Sequence, residues 1–414
     1  MRPWILTFCL ATAIAGTVLP AASAEKPGER IRLTPGQMPA PYAQESASNR
    51  ARIVERPPDQ GLSVPEGFRA NLFAEGLDNP RWLAVAANGD VFLAQSRTGE
   101  VTLLRDRDGD GQADLVRPFL RGLDRPHGMA FQPGFFYVAD TRAVWRVPYA
   151  PGDLTARGRP EQVTADGALG DAGGHWTREL AFAPDGSRFF VAIGSRSNIG
   201  VEPAPRATIK AFPKEGGQGR VYASGLRNAV GIAFQPGSGQ LYAVVNERDG
   251  LGDELVPDYL TRVEEGAFYG WPYAYIGTHP QPGYAEQRPD LVAASRVPDL
   301  LFRSHSAPIG FVFYDGPSFP ASYRGDAFVA LQGSWNAAAP RGYMVVRVPF
   351  ENRRPEGDYE VFATGFRLDD VPDGTRTRAT VWGRPAGLAV AADGALLIAE
   401  SDSGTVWRIA PAGR

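Results

Sequence analysis

A short motif that recurs six times constrains the fold of this chain more than any other feature of its sequence. Asn-Gly or Asp-Gly closing a short apolar stretch is a strong signal for a β-hairpin. Three copies nearly superimpose: LAVAANG at 83–89, LAFAPDG at 180–186 and LAVAADG at 388–394. Looser copies follow the same pattern: MAFQPG at 129–134, IAFQPG at 232–237 and FVFYDG at 311–316. We therefore predict six hairpins, each beginning a small antiparallel sheet.

Six hairpin repeats with further strands between them predict an all-β fold, a six-bladed β-propeller. The chain has 48 Gly and 36 Pro, which favours turns and argues against a helical bundle. A β-sandwich with accidental internal similarity is the alternative. The fourth, fifth and sixth copies begin at 232, 311 and 388, so long insertions separate them. Long loops on one face of a rigid scaffold commonly carry function.

The first sixty residues lie outside the repeats. Residues 1–24 resemble a cleaved export signal, with Arg2, an apolar stretch and the small residues Ala22-Ser23-Ala24, so we expect a periplasmic or secreted protein with no stable membrane anchor. The sole cysteine, Cys9, lies in that segment, which leaves no disulfide or thiolate ligand after cleavage. Residues 25–60 are a Pro-rich arm, ordered only if docked, and 61–414 form one domain. The balance of charge, net −3, suggests no nucleic-acid partner.

Cations and histidines concentrate just before the six predicted first strands. In a propeller these positions surround one mouth of the central channel, and converging cations there imply an anionic ligand. The alternative is that each arginine only ties one blade to its neighbour. The residues concerned are Arg81, Arg125, His127, His175, Arg178, Arg227, Asn228, His305 and Arg384.

Several longer motifs resemble those of the soluble quinoprotein sugar dehydrogenases, in the branch of glucose and sorbosone dehydrogenases. The resemblance covers roughly residues 64–410 and implies a six-bladed propeller that binds pyrroloquinoline quinone and calcium. The motifs are GHWTR at 174–178, GSRSN at 194–198, GLRNAVG at 225–231, NERDGLGDE at 246–254, FYGWPY at 268–273, GSWN at 333–336 and GY at 342–343.

The resemblance also implies roles for individual residues. His175 matches the catalytic base, which takes the proton of a sugar hydroxyl, and an imidazole suits that task. The cofactor carries three carboxylates, which accounts for the predicted ring of cations. The residues assigned to its binding are Arg178, Arg227, Asn228, Arg384 and His127.

The resemblance further implies a calcium site and marks three departures from the family. Calcium takes oxygen ligands, and Asp253, Glu254 and Tyr269 are similar to the family's ligand loop, with Asp258 as a further candidate. The departures are positions where the family suggests other residues, so quinone binding could be altered or lost there. They are Gln332, Ala337 and Met344.

A second candidate metal site lies in the stretch DRDGDGQAD at 106–114. Asp106, Asp108, Asp110 and Asp114 occupy positions 1, 3, 5 and 9 of an EF-hand-like loop, with glycine at position 6. Position 12 is Arg117 rather than glutamate, and no helical pattern flanks the loop. We expect an outer hairpin loop that either binds a structural calcium weakly or is only an Asp/Gly-rich turn.

Together these observations predict an exported quinone-dependent sugar dehydrogenase. It would oxidise an aldose at the C1 hydroxyl, or an aldehyde, by hydride transfer to the quinone, and pass electrons to a periplasmic cytochrome or quinone. A calcium-dependent lactonase-like hydrolase is an alternative, but that would need acids rather than cations on the channel axis. A binding propeller that has lost the cofactor is the non-enzymatic alternative.

Overall fold

The computed structural model describes residues 25–374 and 376–413, and the predicted export signal lies outside them. The described part is almost entirely β-structure. Its helices are the single α-helix Pro289–Ala294 and the short 3-10 turns Pro35–Gln37, Ala285–Gln287 and Ala321–Tyr323. Within these residues no helix has the length and apolarity needed to cross a membrane.

Six antiparallel sheets of four or five strands contain most of the described strands, and we number them in chain order. The strands of sheet 1 are Pro80–Val85, Val91–Gln95, Glu100–Arg105 and Leu115–Arg121. Sheet 2 comprises Met129–Gln132, Phe135–Ala139, Val144–Pro148 and Glu161–Gln162. Sheet 3 comprises Arg178–Phe182, Arg188–Ile193, Thr208–Pro213 and Arg220–Ser224.

The remaining three large sheets follow the same meander. Sheet 4 comprises Ala229–Phe234, Leu241–Val245, Tyr259–Arg262 and Leu300–Leu301. Sheet 5 comprises Pro308–Phe313, Ala327–Leu331, Met344–Val348, Tyr359–Ala363 and, from the arm, Arg30–Ile31. Sheet 6 comprises Pro385–Val390, Leu396–Glu400, Thr405–Pro411 and, from the start of the domain, Phe68–Ala74.

Smaller sheets occupy the insertions. They are Ala274–Tyr275 with His279–Pro280, Phe350–Glu351 with Arg354–Pro355, and Arg52–Ile53 with Arg376–Val381 and Arg367–Asp373.

The hairpins that begin sheets 1, 3 and 6 form where the repeats predict them. Val85 lies opposite Val91, Phe182 opposite Phe189, and Val390 opposite Leu396. The turn glycine Gly89 has φ 90°, in the left-handed region that costs a side-chain-bearing residue energy, and its N–H donates to the Ala86 carbonyl at 2.9 Å. The predicted hairpins are confirmed, and the all-β fold class with them.

The first strands of the six sheets form a closed ring. Each contacts the first strand of the preceding and of the following sheet, and that of sheet 6 contacts that of sheet 1. These six strands line an axial cavity of about 460 Å³, and each contributes at least one residue to it: Trp82, Met129, Glu179, Ile232, Phe311 and Leu388. The ring explains why the repeat is apolar, because its residues face either the axis or the neighbouring sheet.

The core lies between adjacent sheets. Between sheets 1 and 2, for example, the rings of Phe92 and Phe136 have centroids 5.3 Å apart and Phe119 meets Phe136 edge-on at 5.5 Å. All three side chains are buried. Aromatic side chains bury large apolar areas and favour such edge-to-face contacts, so each pair of neighbouring sheets is held mainly by apolar burial.

The arm at 25–60 is docked along its length. Glu25 forms ion pairs with Arg303 at 2.9 Å and Arg367 at 3.4 Å. The main-chain N–H of Asn49 donates to the Trp335 carbonyl at 2.7 Å. Its side-chain amide donates to the carbonyls of Ala337 at 2.9 Å, Ala338 at 3.2 Å and Thr377 at 2.9 Å. The arm thereby joins the loop at 335–338 to the strand Arg376–Val381, which is distant from that loop in sequence.

Replacing Asn49 with alanine should weaken this docking. The substitution removes one side-chain amide that serves three carbonyls, so we expect a loss of about 1–3 kcal/mol in the free energy of unfolding. Urea unfolding measures it, with Ser48→Ala as the control because exposed Ser48 takes part through its main-chain carbonyl. Equal stability of the Asn49→Ala and Ser48→Ala proteins would contradict the docking described here.

Candidate active site

A cavity of about 270 Å³ lies where the first strands of sheets 3 to 6 begin. Five of the residues predicted at the leading edges line it: His175, Arg227, Asn228, His305 and Arg384. The structure therefore brings side chains from four sheets together at one mouth of the ring. The other lining residues are Asn246, Glu247, Asp249, Asp258, Ala307, Gln332, Gly333, Trp335 and Asn336.

The imidazole of His175 is held in one tautomer. Its Nδ1 lies 2.8 Å from the main-chain carbonyl oxygen of Ser195 and 3.0 Å from the Ser195 hydroxyl. A carbonyl oxygen only accepts hydrogen bonds, so Nδ1 carries the proton and Nε2 presents a lone pair. None of the described residues is a hydrogen-bond partner of Nε2. The ring is thus oriented as a proton acceptor towards the cavity.

The pKa of His175 is lowered from 6.5 to about 4. Burial is the largest cause, followed by the positive charge of Arg227, and the hydrogen bond to Ser195 partly opposes both. The imidazole is therefore neutral at neutral pH, as a base must be. An anionic ligand beside Arg227 would raise the pKa of His175 back towards the pH at which it works.

Arg227 and Arg384 bring positive charge to the cavity but differ in how far their N–H groups are used. Arg227 donates to the carbonyls of Asn198 at 3.0 Å and Glu247 at 2.8 Å, so it fixes the loops after the second strands of sheets 3 and 4. Arg384 makes only long contacts, 3.3 Å to the Gln332 carbonyl and 3.5 Å to that of Gly333. The guanidinium of Arg384 therefore has N–H donors available for a ligand.

Acidic residues line the same cavity, among them Asp258, the further calcium candidate from the sequence, and Glu247, to which the motifs gave no role. Glu247 and Asp258 are buried, and burial raises the pKa of each to about 7. Asp258 accepts the N–H groups of Glu247 and Ala307, both at 2.9 Å. One carboxylate oxygen of Glu247, Oε1, and the amide oxygen of Asn228, Oδ1, are buried without a hydrogen-bond partner in the described part of the chain.

His305 belongs to a separate hydrogen-bonded network on the cavity wall. The amide Nδ2 of Asn336 donates to Asp249 at 2.7 Å and lies 3.0 Å from Nδ1 of His305. The Nε2 of His305 lies 3.3 Å from the Gly252 carbonyl. The network fixes the loop at 333–336 against the loop at 249–252 and leaves the indole of Trp335 partly exposed beside the cavity.

The predicted calcium ligands Asp253, Glu254 and Tyr269 are not assembled into one site. Both carboxylates hold Arg341, at 2.6 Å from Asp253 and 2.5 Å from Glu254. The hydroxyl of buried Tyr269 donates to the Arg262 carbonyl at 2.6 Å. None of the three lines the cavity, and the free oxygens there belong to Glu247 and Asn228 instead.

Two residues predicted to bind the cofactor do not line the cavity. Arg178 is fully buried and donates to the main-chain carbonyls of Asp171 and His175, both at 2.9 Å, so it holds the loop that carries the histidine. His127 is buried, with Nδ1 3.2 Å from a Glu179 carboxylate oxygen. Its pKa is lowered well below 6.5, chiefly by burial. In this arrangement both support the site rather than line it.

The three departures from the family pattern occupy different surroundings. Gln332 lines the cavity. Met344 is buried and begins a strand of sheet 5 in the core, and Ala337 is buried with its carbonyl bonded to the arm. Gln332 is therefore the departure that faces a ligand.

The outer loop at 106–114 brings three of its four predicted acids together. Carboxylate oxygens of Asp106, Asp108 and Asp114 lie within 4.8 Å of one another, and Asp110 is not part of the group. The loop connects two strands of sheet 1, and its carboxylates also accept main-chain N–H groups, such as Gly109 to Asp106 at 2.7 Å. Metal binding there stays a prediction.

Comparison with known protein families decides the classification. A model of the TrAA12-like family matches residues 62–265 and 285–412. The chain belongs to the TrAA12-like family. The matched part contains all six large sheets except the arm's strand, together with every residue of the cavity.

Curated relatives in this group include sugar dehydrogenases. A pyrroloquinoline quinone-dependent pyranose dehydrogenase of Coprinopsis cinerea is 26% identical over 412 aligned positions, covering 85% of this chain and 55% of that protein. The chain thus spans about half the length of that relative. An uncharacterized protein of Borreliella burgdorferi is 24% identical over 359 residues, covering 84% of this chain and 90% of that protein.

Solved structures show the shared fold, a β-propeller. The quinone-binding domain of the Coprinopsis cinerea pyranose dehydrogenase, in its holo form, has a TM-score of 0.71 at 21% identity, covering 87% of this chain and 100% of that chain. The quinone-bound aldose sugar dehydrogenase of Streptomyces coelicolor has a TM-score of 0.58 at 17% identity, with coverage of 84% and 99%. A calcium structure of a Trichoderma reesei family AA12 enzyme has a TM-score of 0.69 at 18% identity, with coverage of 88% and 99%.

The pKa of His175 makes the stability of the ligand-free protein depend on pH. The unfolded chain takes up a proton at this residue near pH 6.5 and the folded protein near pH 4, so its contribution is complete above pH 6.5 and is lost as the pH falls to 4. Between pH 7 and pH 4.5 the free energy of unfolding should therefore fall less in His175→Gln than in the wild-type protein, by on the order of 2 kcal/mol. Urea unfolding at pH 7 and pH 4.5 measures it, and equal losses in both proteins would contradict the assignment.

Proposed function

We propose that the chain is a pyrroloquinoline quinone-dependent sugar dehydrogenase that oxidises an aldose at C1, as a hydroxyl or an aldehyde. The observation that carries this proposal is His175, a neutral imidazole whose unprotonated Nε2 is free in a cavity that also presents arginines and unpaired oxygens. Membership of the TrAA12-like family and the quinone-dependent relatives support the same reaction class.

The residues present fit the quinone. Arg384 has unused N–H donors for a carboxylate, and the positive charge of Arg227 lies on the same cavity wall. When bound, the quinone would supply the hydride acceptor that no amino-acid side chain provides. The protein's own part is to bind and orient the ligands and to move the proton.

The residues also fit a calcium ion. Oxygen ligands are what calcium takes, and Glu247 Oε1 and Asn228 Oδ1 are buried oxygens without a partner among the described residues. Calcium would let Glu247, whose pKa burial raises to about 7, remain ionised inside the cavity. We propose these two oxygens as its ligands, in place of Asp253, Glu254 and Tyr269.

His175 performs the proton transfer in this proposal. Nε2 accepts the proton of the sugar hydroxyl, and the Ser195 carbonyl stabilises the resulting imidazolium through Nδ1–H. Arg178 keeps the histidine loop in place by holding its main-chain carbonyls. Half of the residues that line the cavity are buried, which limits water around the transferred proton.

We further propose that the six large sheets are the blades of a six-bladed propeller and that the protein works outside the cytoplasm. The export signal predicted at 1–24 and the docking of the arm from Glu25 onwards support this location. Electrons would then leave to a cytochrome or quinone carrier of that compartment.

Reconstitution tests the function directly. The purified protein should bind pyrroloquinoline quinone in the presence of calcium, with a change in the absorption spectrum, and then reduce an artificial dye with at least one aldose from a panel. His175→Ala should keep quinone affinity but lower kcat by about 10²- to 10⁴-fold, because only the general base is removed. His279→Ala, a histidine elsewhere that contacts Tyr275, is the control.

Two results would reject parts of this proposal. Absence of both a spectral change and dye reduction with every aldose would reject the function. Unchanged turnover of the His175→Ala protein would reject the assignment of the base while leaving the function intact.

Exchange of Glu247 for glutamine distinguishes the two calcium assignments. We expect Glu247→Gln to lower the calcium affinity of the quinone-loaded protein at least about tenfold, because a charged ligand is lost. Glu254→Gln should change it less than about twofold, since Glu254 holds Arg341. Calcium titration of EDTA-treated protein, followed by the quinone spectrum, measures both, and the reverse order of effects would favour the ligand loop predicted from the sequence.

A further inference from the structure

Two exposed aromatic side chains lie near the cavity and have no assigned role. In the described part of the chain, Tyr42 and Trp335 are the aromatic members of the exposed large apolar side chains, with exposed fractions of 64% and 44%. Trp335 lines the cavity, and Tyr42 belongs to the arm. Large apolar groups that are exposed together beside a cavity mark ligand-binding or interaction sites.

The arm follows two neighbouring loops at the rim of the cavity. The Ser46 hydroxyl accepts the N–H of Gly252 at 3.1 Å, and the main-chain N–H of Asn49 donates to the Trp335 carbonyl at 2.7 Å. The two loops are themselves joined by the network around His305. The arm therefore lies along this side of the cavity, outside the part of the chain that the family model matches.

Tyr42 is fixed on the first of these loops. Its main-chain N–H donates to the Leu251 carbonyl at 2.7 Å, and its φ of 64° lies in the left-handed region, which costs a bulky residue energy. Burial lowers the pKa of Arg248, and Tyr42 is the largest of the effects that oppose this lowering, which places the phenol near Arg248. Arg248 lies in the chain between the cavity residues Glu247 and Asp249. The ring of Tyr42 is thus exposed at the edge of the cavity while its main chain is held.

Trp335 is oriented by the same arm. The guanidinium carbon of Arg50 lies 5.8 Å from the centroid of the Trp335 ring, within the range of a cation–π contact. Together with the hydrogen bond from Asn49, this contact holds the indole in place without burying it. Because both aromatic residues are already held, a ligand that packs on them removes little further conformational freedom.

The size of the cavity indicates what reaches these rings. Pockets for a small ligand or a cofactor commonly measure about 300–1,000 Å³, whereas this cavity has about 270 Å³. In the proposed function it receives both the quinone and the reacting end of the sugar. Any further sugar unit of the substrate therefore extends out of the cavity and over the rim, where the aromatic rings lie.

We propose that Tyr42 and Trp335 form a second sugar subsite at the rim, so that the substrate is a di- or oligosaccharide oxidised at its reducing end. One face of a pyranose ring consists of C–H groups and packs on an aromatic ring, and the sugar hydroxyls can exchange hydrogen bonds with the phenol of Tyr42. Trp335 contacts the substrate next to the cavity, and Tyr42 contacts the unit beyond it. This inference rests on the proposed function and leaves its reaction unchanged.

Tyr42→Ala tests the subsite, and two further variants are its controls. Tyr42→Phe keeps the aromatic ring and loses only the hydroxyl. Tyr284→Ala removes a half-exposed tyrosine that does not line the cavity. The measured quantity is the ratio of kcat/KM for a disaccharide, cellobiose or maltose, to kcat/KM for D-glucose in the quinone-loaded protein.

Loss of the Tyr42 ring should reduce the preference for the longer sugar. We expect Tyr42→Ala to lower the ratio about fivefold for at least one of the two disaccharides, because the aromatic contact with the second sugar unit is lost. Tyr42→Phe should retain most of the ratio, and an equal loss in that variant would overturn the packing role of the ring. Ratios for both disaccharides within about twofold of those of the Tyr284→Ala protein would overturn the subsite.

Binding of sugars whose C1 hydroxyl is blocked separates this inference from the proposed function. Titration calorimetry with methyl β-cellobioside and methyl β-maltoside measures dissociation constants without turnover, in the protein with and without quinone. Binding of at least one glycoside about fivefold tighter to the wild-type protein than to Tyr42→Ala would support the subsite even if no sugar is oxidised. Equal binding to both proteins, or binding to neither, would overturn it.

Discussion

The fold depends on the pairing of two strands from opposite ends of the domain. Phe68–Ala74 forms the outer strand of sheet 6 and pairs with Thr405–Pro411. The first strand of the same sheet, Pro385–Val390, contacts the first strand of sheet 1 and so completes the ring. A ring of small sheets leaves only short edges, but it is stable only when closed. The cavity residues contributed by sheets 3 to 6 are positioned by strands that belong to this closed ring.

Much of the fold could be predicted from the sequence because hairpins are local. The apolar stretch, the Asn-Gly or Asp-Gly turn and the second apolar stretch lie within about fifteen residues, and the pattern repeats. The fifth strand of sheet 5, Arg30–Ile31, could not be predicted in this way. Its pairing with Tyr359 and Glu360 joins residues more than three hundred positions apart, and nothing local in the arm indicates it.

The site was predictable where a residue's place in a strand decides its position, and less so where side-chain partners decide it. His175, Arg227, Asn228 and Arg384 converge because each precedes or begins a first strand. Arg178 shares that register, yet its guanidinium turns to main-chain carbonyls. Likewise, the sequence predicts a calcium loop at the acidic pair 253–254, whereas in the structure both carboxylates form ion pairs with Arg341. Such competition between ligands and neighbours is invisible in a linear motif.

The arm helps to position a loop beside the cavity. The family model matches the chain only from residue 62, so the segment that carries Asn49 lies outside the shared part. Yet Asn49 ties the loop at 335–338, beside the cavity, to the strand that contains Thr377. The geometry of the rim is therefore set partly by a segment outside the shared part. Because the same segment supplies a strand of sheet 5, a change in the arm would alter the rim and the stability of the protein together.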